Sequence, residues 1–145
     1  MSTKEVQQEI LENMKRWQKI ENASIASTGN IIEKTDNPIV RIIMEIIQRD
    51  SQMHYRVQEF IASTLEGKAV ALSPDEVAKV WSMIEHHIEI ESQTIKLAES
   101  ALSALRGKKM LVQEYLLDYL LIDERKHSEI LKNLEQIKKG MYPYA

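Results

Sequence analysis

Near its C-terminus the chain reads LLIDERKHSEIL (residues 120–131), and 73 positions earlier it reads IQRDSQMHYRVQ (residues 47–58). At this offset Asp50 matches Asp123 and His54 matches His127, whereas Ser51 stands where the later copy has Glu124. Apolar residues recur around both stretches at spacings of three and four, which is typical of an amphipathic helix. The sequence therefore carries one helical motif twice with one substitution, and this indicates a duplicated helical unit.

The size and composition of the chain exclude several classes of protein. Its 145 residues correspond to one ordinary domain, with 22 acidic and 19 basic residues. The net charge of -3 lacks the basic surplus of a nucleic-acid-binding protein. Without cysteine the chain has no disulfide, thiolate zinc site or iron–sulfur cluster. With no apolar run of membrane-spanning length, we expect a cytoplasmic protein that binds neither nucleic acid nor membrane.

Turn and capping signals divide the chain into four helices. Asn37 before Pro38 ends the first helix, either Asp36 or Asn37 caps the second, and Ser73 with Glu76 forms a capping-box pattern at the start of the third. Gly107 suits a left-handed cap at the end of the third helix. The sequence predicts an all-α four-helix bundle, a single domain over 1–145 built from two repeated helical hairpins, about 3–66 and about 73–139.

The first and third helices also share a short motif. Trp17 and Glu21 belong to a W-x-x-I-E pattern that recurs at Trp81 and Glu85, at an offset of 64. Both glutamates adjoin apolar positions of their helices, where an ionised carboxylate is costly unless a cation receives it. A buried metal ion is such a cation.

On the fourth helix, Glu124 and His127 are three residues apart and point off the same face. This spacing lets one helix offer an oxygen and a nitrogen to one ion. Glu21 and Glu85 from the other arms of the hairpins would add carboxylates at the same level. The alternative for this set is a metal-free layer of salt bridges, with Arg49 or Arg125 as counter-ions.

This arrangement resembles the ferritin-like di-iron carboxylate family, and the DERKH stretch at 123–127 resembles its rubrerythrin branch, without the cysteine-rich rubredoxin part. The resemblance implies iron, as one or two ions, with manganese as the other candidate. It implies no catalytic residues beyond the ligands, and it makes Asp123 an acceptor that orients an imidazole. The implied metal ligands are Glu21, His54, Glu85, Glu124 and His127, with Asp50 as a further candidate.

The sequence departs from that family pattern at two positions. Ser51 replaces a ligand glutamate, and Ile88 stands where a second glutamate of the third helix is expected. Asp50 either orients an imidazole or turns inward to replace the missing carboxylate. We interpret Ser51 as a sign of drift from a symmetric dinuclear site towards an asymmetric, mononuclear one.

Four residues beside Glu85 are interpreted as peripheral. His86 and His87 are expected at the surface or in a subunit contact, because neighbouring helical residues point about 100° apart. Glu89 and Glu91 are expected to be solvated or between subunits, with Glu89 as the substitute ligand one turn past Glu85.

The connection between the hairpins bears on oligomeric state. About eight residues, 66–73, span at most about 27 Å, which is shorter than helices of about 40 Å. Short hinges favour exchange of elements between chains. We therefore expect a homodimer, with exchange of hairpins as one way to form it.

Two functions follow from these features. The first is a redox protein in which non-haem iron reacts with peroxide or dioxygen, an oxidoreductase that needs an external electron donor. The alternative is a metal-binding or structural helical bundle with a degenerate site and no catalysis. Ser51 and Ile88 favour the alternative, whereas the intact DERKH favours the redox protein.

Overall fold

The computed structural model describes residues 1–67 and 74–141, which form four α-helices and no strand. The helices are α1 (Thr3–Lys34), α2 (Pro38–Glu66), α3 (Pro74–Leu105) and α4 (Leu111–Met141). The all-α fold with four helices is therefore confirmed. None of these described helices has a long enough apolar stretch to cross a membrane.

The chain divides into two compact units, Met1–Val70 and Ala71–Ala145. The first unit contains hairpin 1, formed by α1 and α2, and the second contains hairpin 2, formed by α3 and α4. The boundary falls within the connection predicted from the sequence. The predicted cap at Ser73 and the connection over 68–73 lie outside the described residues, so the short reach of this connection stays a prediction.

Local capping sets where the helices of hairpin 1 begin. Ser2 and Glu5 form a reciprocal capping box at the start of α1. At the start of α2 the Asn37 side chain accepts hydrogen bonds from the backbone N–H groups of Ile39 and Val40, at 3.0 and 3.2 Å. Pro38 follows in the first turn, where its missing N–H costs nothing.

Replacing Asn37 with alanine is expected to destabilise hairpin 1 by about 1 kcal/mol, because two backbone donors lose their acceptor. Urea unfolding of the variant against the wild type measures this difference. Asn22→Ala, at an exposed position within α1, is the matched control and should change stability by less than about 0.5 kcal/mol. Equal effects of the two substitutions would contradict the capping role.

The turn of hairpin 2 depends on a glycine. Gly107 has a φ of 76°, in the left-handed region where a side chain is strained. Beyond it the backbone N–H of Lys108 donates to the carbonyl of Leu105 at 2.8 Å, closing the end of α3. The predicted left-handed cap is confirmed, and the turn spans five residues, 106–110, against three, 35–37, in hairpin 1.

The buried positions of each hairpin recur with a fixed spacing. On α1 the buried residues are Glu21 and Thr28, and on α3 the buried residues at the matching level are Glu91 and Ala98. Each pair is seven residues apart, and the offset between the pairs is 70 positions. The W-x-x-I-E motif predicted an offset of 64 positions, and this prediction is corrected to 70. The reason is that the side of each helix that faces its partner determines which residues of the two hairpins correspond.

Candidate metal centre

Three side chains of hairpin 2 converge at mid-height between α3 and α4. Glu91 lies on α3, and Glu124 and His127 lie on α4; one ligand atom from each lies within 4.8 Å of the other two. Nδ1 of His127 is 3.5 Å from Oε2 of Glu91 and 3.7 Å from Oε2 of Glu124. Two carboxylates and one imidazole nitrogen therefore surround one small volume.

The sequence of α4 aligns two of these donors on one face. Glu124 and His127 are three residues apart, so their side chains lie about one turn apart and point towards α3. Thr94 of α3 adds a hydroxyl, which donates to Oε2 of Glu124 at 2.9 Å. This bond ties the Glu124 carboxylate to the opposite helix and limits its rotation.

Glu91 is the most enclosed acid of hairpin 2, with 7% of its surface exposed. Its Oε1 lies 2.9 Å from Nε2 of His87, one turn earlier on the same helix. Its Oε2 is buried and has no hydrogen-bond donor among the described residues. A buried carboxylate oxygen without a donor is costly, and either a cation or a proton on a neighbouring acid satisfies it.

The electrostatics of the cluster follow from the contact between its two acids. A hydrogen bond shared with Glu91 raises the pKa of Glu124, and burial raises it further. The same hydrogen bond lowers the pKa of Glu91, with His87 and His127 adding to this effect against the cost of burial. Of the two acids, Glu91 therefore loses its proton at the lower pH and Glu124 at the higher.

A second carboxylate fixes the orientation of His127. Oδ2 of Asp123 is 3.3 Å from Nε2 of the His127 ring, on the side away from Glu91. The other Asp123 oxygen, Oδ1, pairs with Nζ of Lys126 at 2.7 Å. An Nε2–H that donates to Asp123 leaves the lone pair of Nδ1 for the cluster, as in the carboxylate–histidine pairs of metal sites.

Hairpin 1 has a related cluster with different chemistry. Glu21 is 6% exposed and matches Glu91 at the offset of 70; its Oε1 lies 3.3 Å from Nδ1 of His54. The same oxygen accepts a hydrogen bond from Nε2 of Gln58 at 3.3 Å. Ser51, at the position of Glu124, is 5% exposed and bonds to Ser24 at 2.8 Å between the hydroxyl oxygens. Amide and hydroxyl groups thus occupy the level at which hairpin 2 has its second carboxylate.

The structure places the predicted ligands in two groups. Glu124 and His127 lie together in hairpin 2, and Glu21 and His54 lie together in hairpin 1. Asp50 is half-buried on α2. Asp123 contacts His127 as the resemblance implies. That both groups converge on one centre stays a prediction.

Glu85 does not belong to the cluster of hairpin 2. It is exposed and accepts a hydrogen bond from Nε1 of Trp81, one turn earlier on α3, at 3.0 Å. Glu89 is also exposed, near His86 on the outer surface. Glu91 was expected from the sequence to be solvated or between subunits. In the structure it is the α3 carboxylate that faces Glu124 and His127. His87 likewise contacts Glu91.

The sequence contained a signal for Glu91. Glu21 precedes the end of α1 by 13 residues, and Glu91 precedes the end of α3 by 14, whereas Glu85 precedes it by 20. In an antiparallel hairpin, residues at similar distances from the turn meet, so the distance to the turn favours Glu91. Sharing of the letters W-x-x-I-E was the weaker criterion.

The donors of hairpin 2 suit a divalent transition metal. Carboxylate and imidazole ligands together accept iron, manganese or zinc, and three protein donors leave coordination positions for solvent or a small substrate. The fit rests on the buried Oε2 of Glu91, which lacks a donor. No protein-family model, curated protein or solved structure matches this chain.

Proposed function

We propose that this chain is a non-haem iron protein of ferritin-like type, and that hairpin 2 holds one metal ion through Glu91, Glu124 and His127. The observation that supports the proposal is the buried, donor-free Oε2 of Glu91 beside a second carboxylate and an oriented imidazole. Manganese is the other ion that this donor set accepts. The proposed activity is reaction with peroxide or dioxygen.

The ligand set matches half of a known arrangement. Ferritin-like di-metal proteins use one glutamate from each of two helices and a Glu-x-x-His motif from each of the other two. Hairpin 2 supplies one glutamate, Glu91, and one Glu-x-x-His motif, Glu124 to His127. Hairpin 1 supplies Glu21 and His54 but has Ser51 in place of the motif glutamate, which favours an asymmetric protein.

The residues of hairpin 2 have distinct tasks in this proposal. Glu91 and Glu124 supply negative charge, and His127 supplies a neutral nitrogen whose orientation Asp123 holds. A bound iron would supply Lewis acidity and one-electron redox chemistry. Reduction of hydrogen peroxide to two water molecules consumes two electrons and two protons, and an external donor must provide the electrons because the chain has no cysteine for a second iron centre.

A metal-binding bundle without catalysis is the alternative function. The hydrogen-bonded serines and Gln58 of hairpin 1 favour it, because they satisfy one another without an ion. A structural or iron-buffering role needs the same ligands in hairpin 2 but no reaction with an oxidant. The homodimer stays a prediction under either function.

Metal binding is tested by titrating the chelator-treated chain with Co²⁺ and with anaerobic Fe²⁺. We expect the wild type to bind one ion per chain. Glu124→Ala should lower the affinity by roughly 100-fold or more, because losing a ligand costs at least as much as losing a residue that only surrounds the ligands. Glu114→Ala, an exposed acid on the same helix, is the matched control and should bind as the wild type does. Equal affinities in all three proteins would contradict the proposed site.

The redox activity is tested by adding peroxide or dioxygen to the Fe²⁺-loaded chain and following visible absorption. A change in the wild type that is absent in Glu124→Ala supports the oxidoreductase. Stoichiometric Fe²⁺ binding without any such change would exclude the redox function and leave the metal-binding alternative.

A further inference from the structure

His87 is an imidazole beside the cluster of hairpin 2 that the proposed ligand set does not use. It lies one turn before Glu91 on α3, and its Nε2 is 2.9 Å from Oε1 of that residue. Its side chain is about half exposed, at 54%, whereas the carboxylate that it contacts is enclosed. The contact therefore connects the buried acid to the edge of the hairpin.

The two oxygens of Glu91 have different surroundings. Oε1 is occupied by His87, and Oε2, which lacks a donor, faces Nδ1 of His127 at 3.5 Å. A carboxylate with one oxygen held has lost most of its freedom to rotate about its last torsion. The bond from His87 therefore determines which oxygen is presented to the cluster.

Hairpin 1 provides an internal comparison. At the offset of 70 positions, Trp17 occupies the place of His87. The indole of Trp17 is 50% exposed, and the described contacts of Glu21 come from His54 and Gln58 on α2 instead. His87 is thus present in hairpin 2, whose cluster has two carboxylates and one histidine. In hairpin 1, which lacks the second carboxylate, Trp17 stands in its place.

We propose that His87 is a positioning residue for the metal centre: its Nε2–H holds Oε1 of Glu91 so that Oε2 is presented to the ion. This inference rests on the proposed metal site in hairpin 2. Nε2 of His87 is bonded to Glu91, and His87 is not among the three residues whose ligand atoms converge. His87 therefore acts through Glu91. Residues that orient metal ligands typically change affinity 10–100-fold when they are removed.

The test uses five variants, among them the Glu124→Ala of the metal-binding experiment. The ligand is Co²⁺, whose binding is followed by calorimetry and whose visible spectrum reports its ligands. His87→Ala should lower the affinity by 10–100-fold with the stoichiometry unchanged. His87→Gln, whose amide nitrogen sits near the position of Nε2, should restore affinity to within about threefold of the wild type. His87→Asn, whose shorter amide does not reach, should behave as the alanine variant does.

His86→Ala is the matched control, since His86 is the exposed neighbour, and its Nδ1 lies 3.8 Å from Oε2 of Glu89 on the outer surface. It should bind Co²⁺ as the wild type does. If His87→Ala binds as tightly as the wild type while Glu124→Ala does not, the positioning role is overturned and the metal site stands. If His87→Gln is as weak as His87→Ala and its Co²⁺ spectrum shows the loss of a nitrogen ligand, His87 is itself a ligand and the inference fails. If the wild type binds no Co²⁺, the metal site and this inference both fail.

Discussion

Replacing Glu91 with methionine is expected to destabilise the metal-free chain by no more than about 1 kcal/mol and to abolish its response to metal. Glu91 carries an ionised group in an enclosed position with one oxygen that has no donor. Its hydrogen bonds and the nearby histidines nevertheless outweigh the cost of burial, as the lowered pKa of Glu91 indicates. Removing the group should therefore cost about 0–1 kcal/mol, the range for ion pairs to half-exposed histidines. Methionine keeps an unbranched side chain of similar length and a high helix propensity.

The response to metal should be the larger change. At a Co²⁺ concentration of about 100 times its dissociation constant, binding stabilises the wild type by about 2.7 kcal/mol. The Glu91→Met variant should show almost none of this gain, because one of three protein ligands is lost. The advantage of the wild type over Glu91→Met would therefore grow by about 2.7 kcal/mol when Co²⁺ replaces the chelator.

The measurement is urea unfolding with and without Co²⁺ in a Trp17→Phe background. The fluorescence of Trp81 then reports on the unfolding of hairpin 2 alone, since the chain has two tryptophans and one lies in each hairpin. Glu89→Met, at an exposed position on the same helix, is the control and should change stability by less than about 0.5 kcal/mol. Equal stabilisation of the wild type and of Glu91→Met by Co²⁺ would contradict the assignment of Glu91 as a ligand.

The double variant Ser51→Glu/Gln58→Leu is expected to bind two metal ions per chain where the wild type binds one. At the offset of 73, Ser51 corresponds to Glu124 and Gln58 to Leu131. The first substitution restores the missing carboxylate within reach of Ser24, which corresponds to Thr94. The second removes the amide that now donates to Oε1 of Glu21. Hairpin 1 would then carry the donor types of hairpin 2.

The new carboxylate also has a cost without metal. Ser51 is 5% exposed, so an acid at this position is enclosed and should destabilise the metal-free chain by about 1–3 kcal/mol. Co²⁺ should recover that stability, and calorimetry should give two ions per chain. Gln52→Glu/Gln58→Leu is the control, since it adds the same charge at the exposed neighbouring position and should leave one ion per chain.

Two results would contradict this account of hairpin 1. Two ions in the wild type would mean that Glu21, His54 and Gln58 already suffice, with the Gln58 amide turned to present its oxygen. One ion in a double variant that is folded and as helical as the wild type would mean that a different feature prevents binding.

Local rules explain how much of the fold was accessible from the sequence. The end of α1 and the start of α2 follow from Asn37 and Pro38, and the end of α3 follows from Gly107. Each of these signals acts within a few residues of the chain, so no knowledge of tertiary packing was required. The relation of Asp123, Glu124 and His127 was equally local, because spacings of three and four on one helix fix a common face.

The α3 ligand could not be found in this way, because it depends on how two helices are aligned. The match between Trp17 and Trp81 suggested an offset that placed Glu85 at the site. In the hairpin that offset leaves Glu85 on the outer face, where it pairs with Trp81. Burial of Glu91, contact with His87 and the missing donor on Oε2 are properties of the packed pair of helices.

The two turns record how the duplicated hairpins diverged in length. Matching levels are 70 positions apart on α1 and α3 but 73 apart on α2 and α4, and the difference lies in the longer turn 106–110 and one extra residue at the end of α3. Insertions in the turn of a hairpin leave the facing residues of its two helices aligned, so evolution was free to change the length of the turns. A single residue gained between Glu91 and Ala98 would instead rotate one of these buried positions by about 100° relative to the other, which makes the stems of both hairpins the part that natural selection must keep in register.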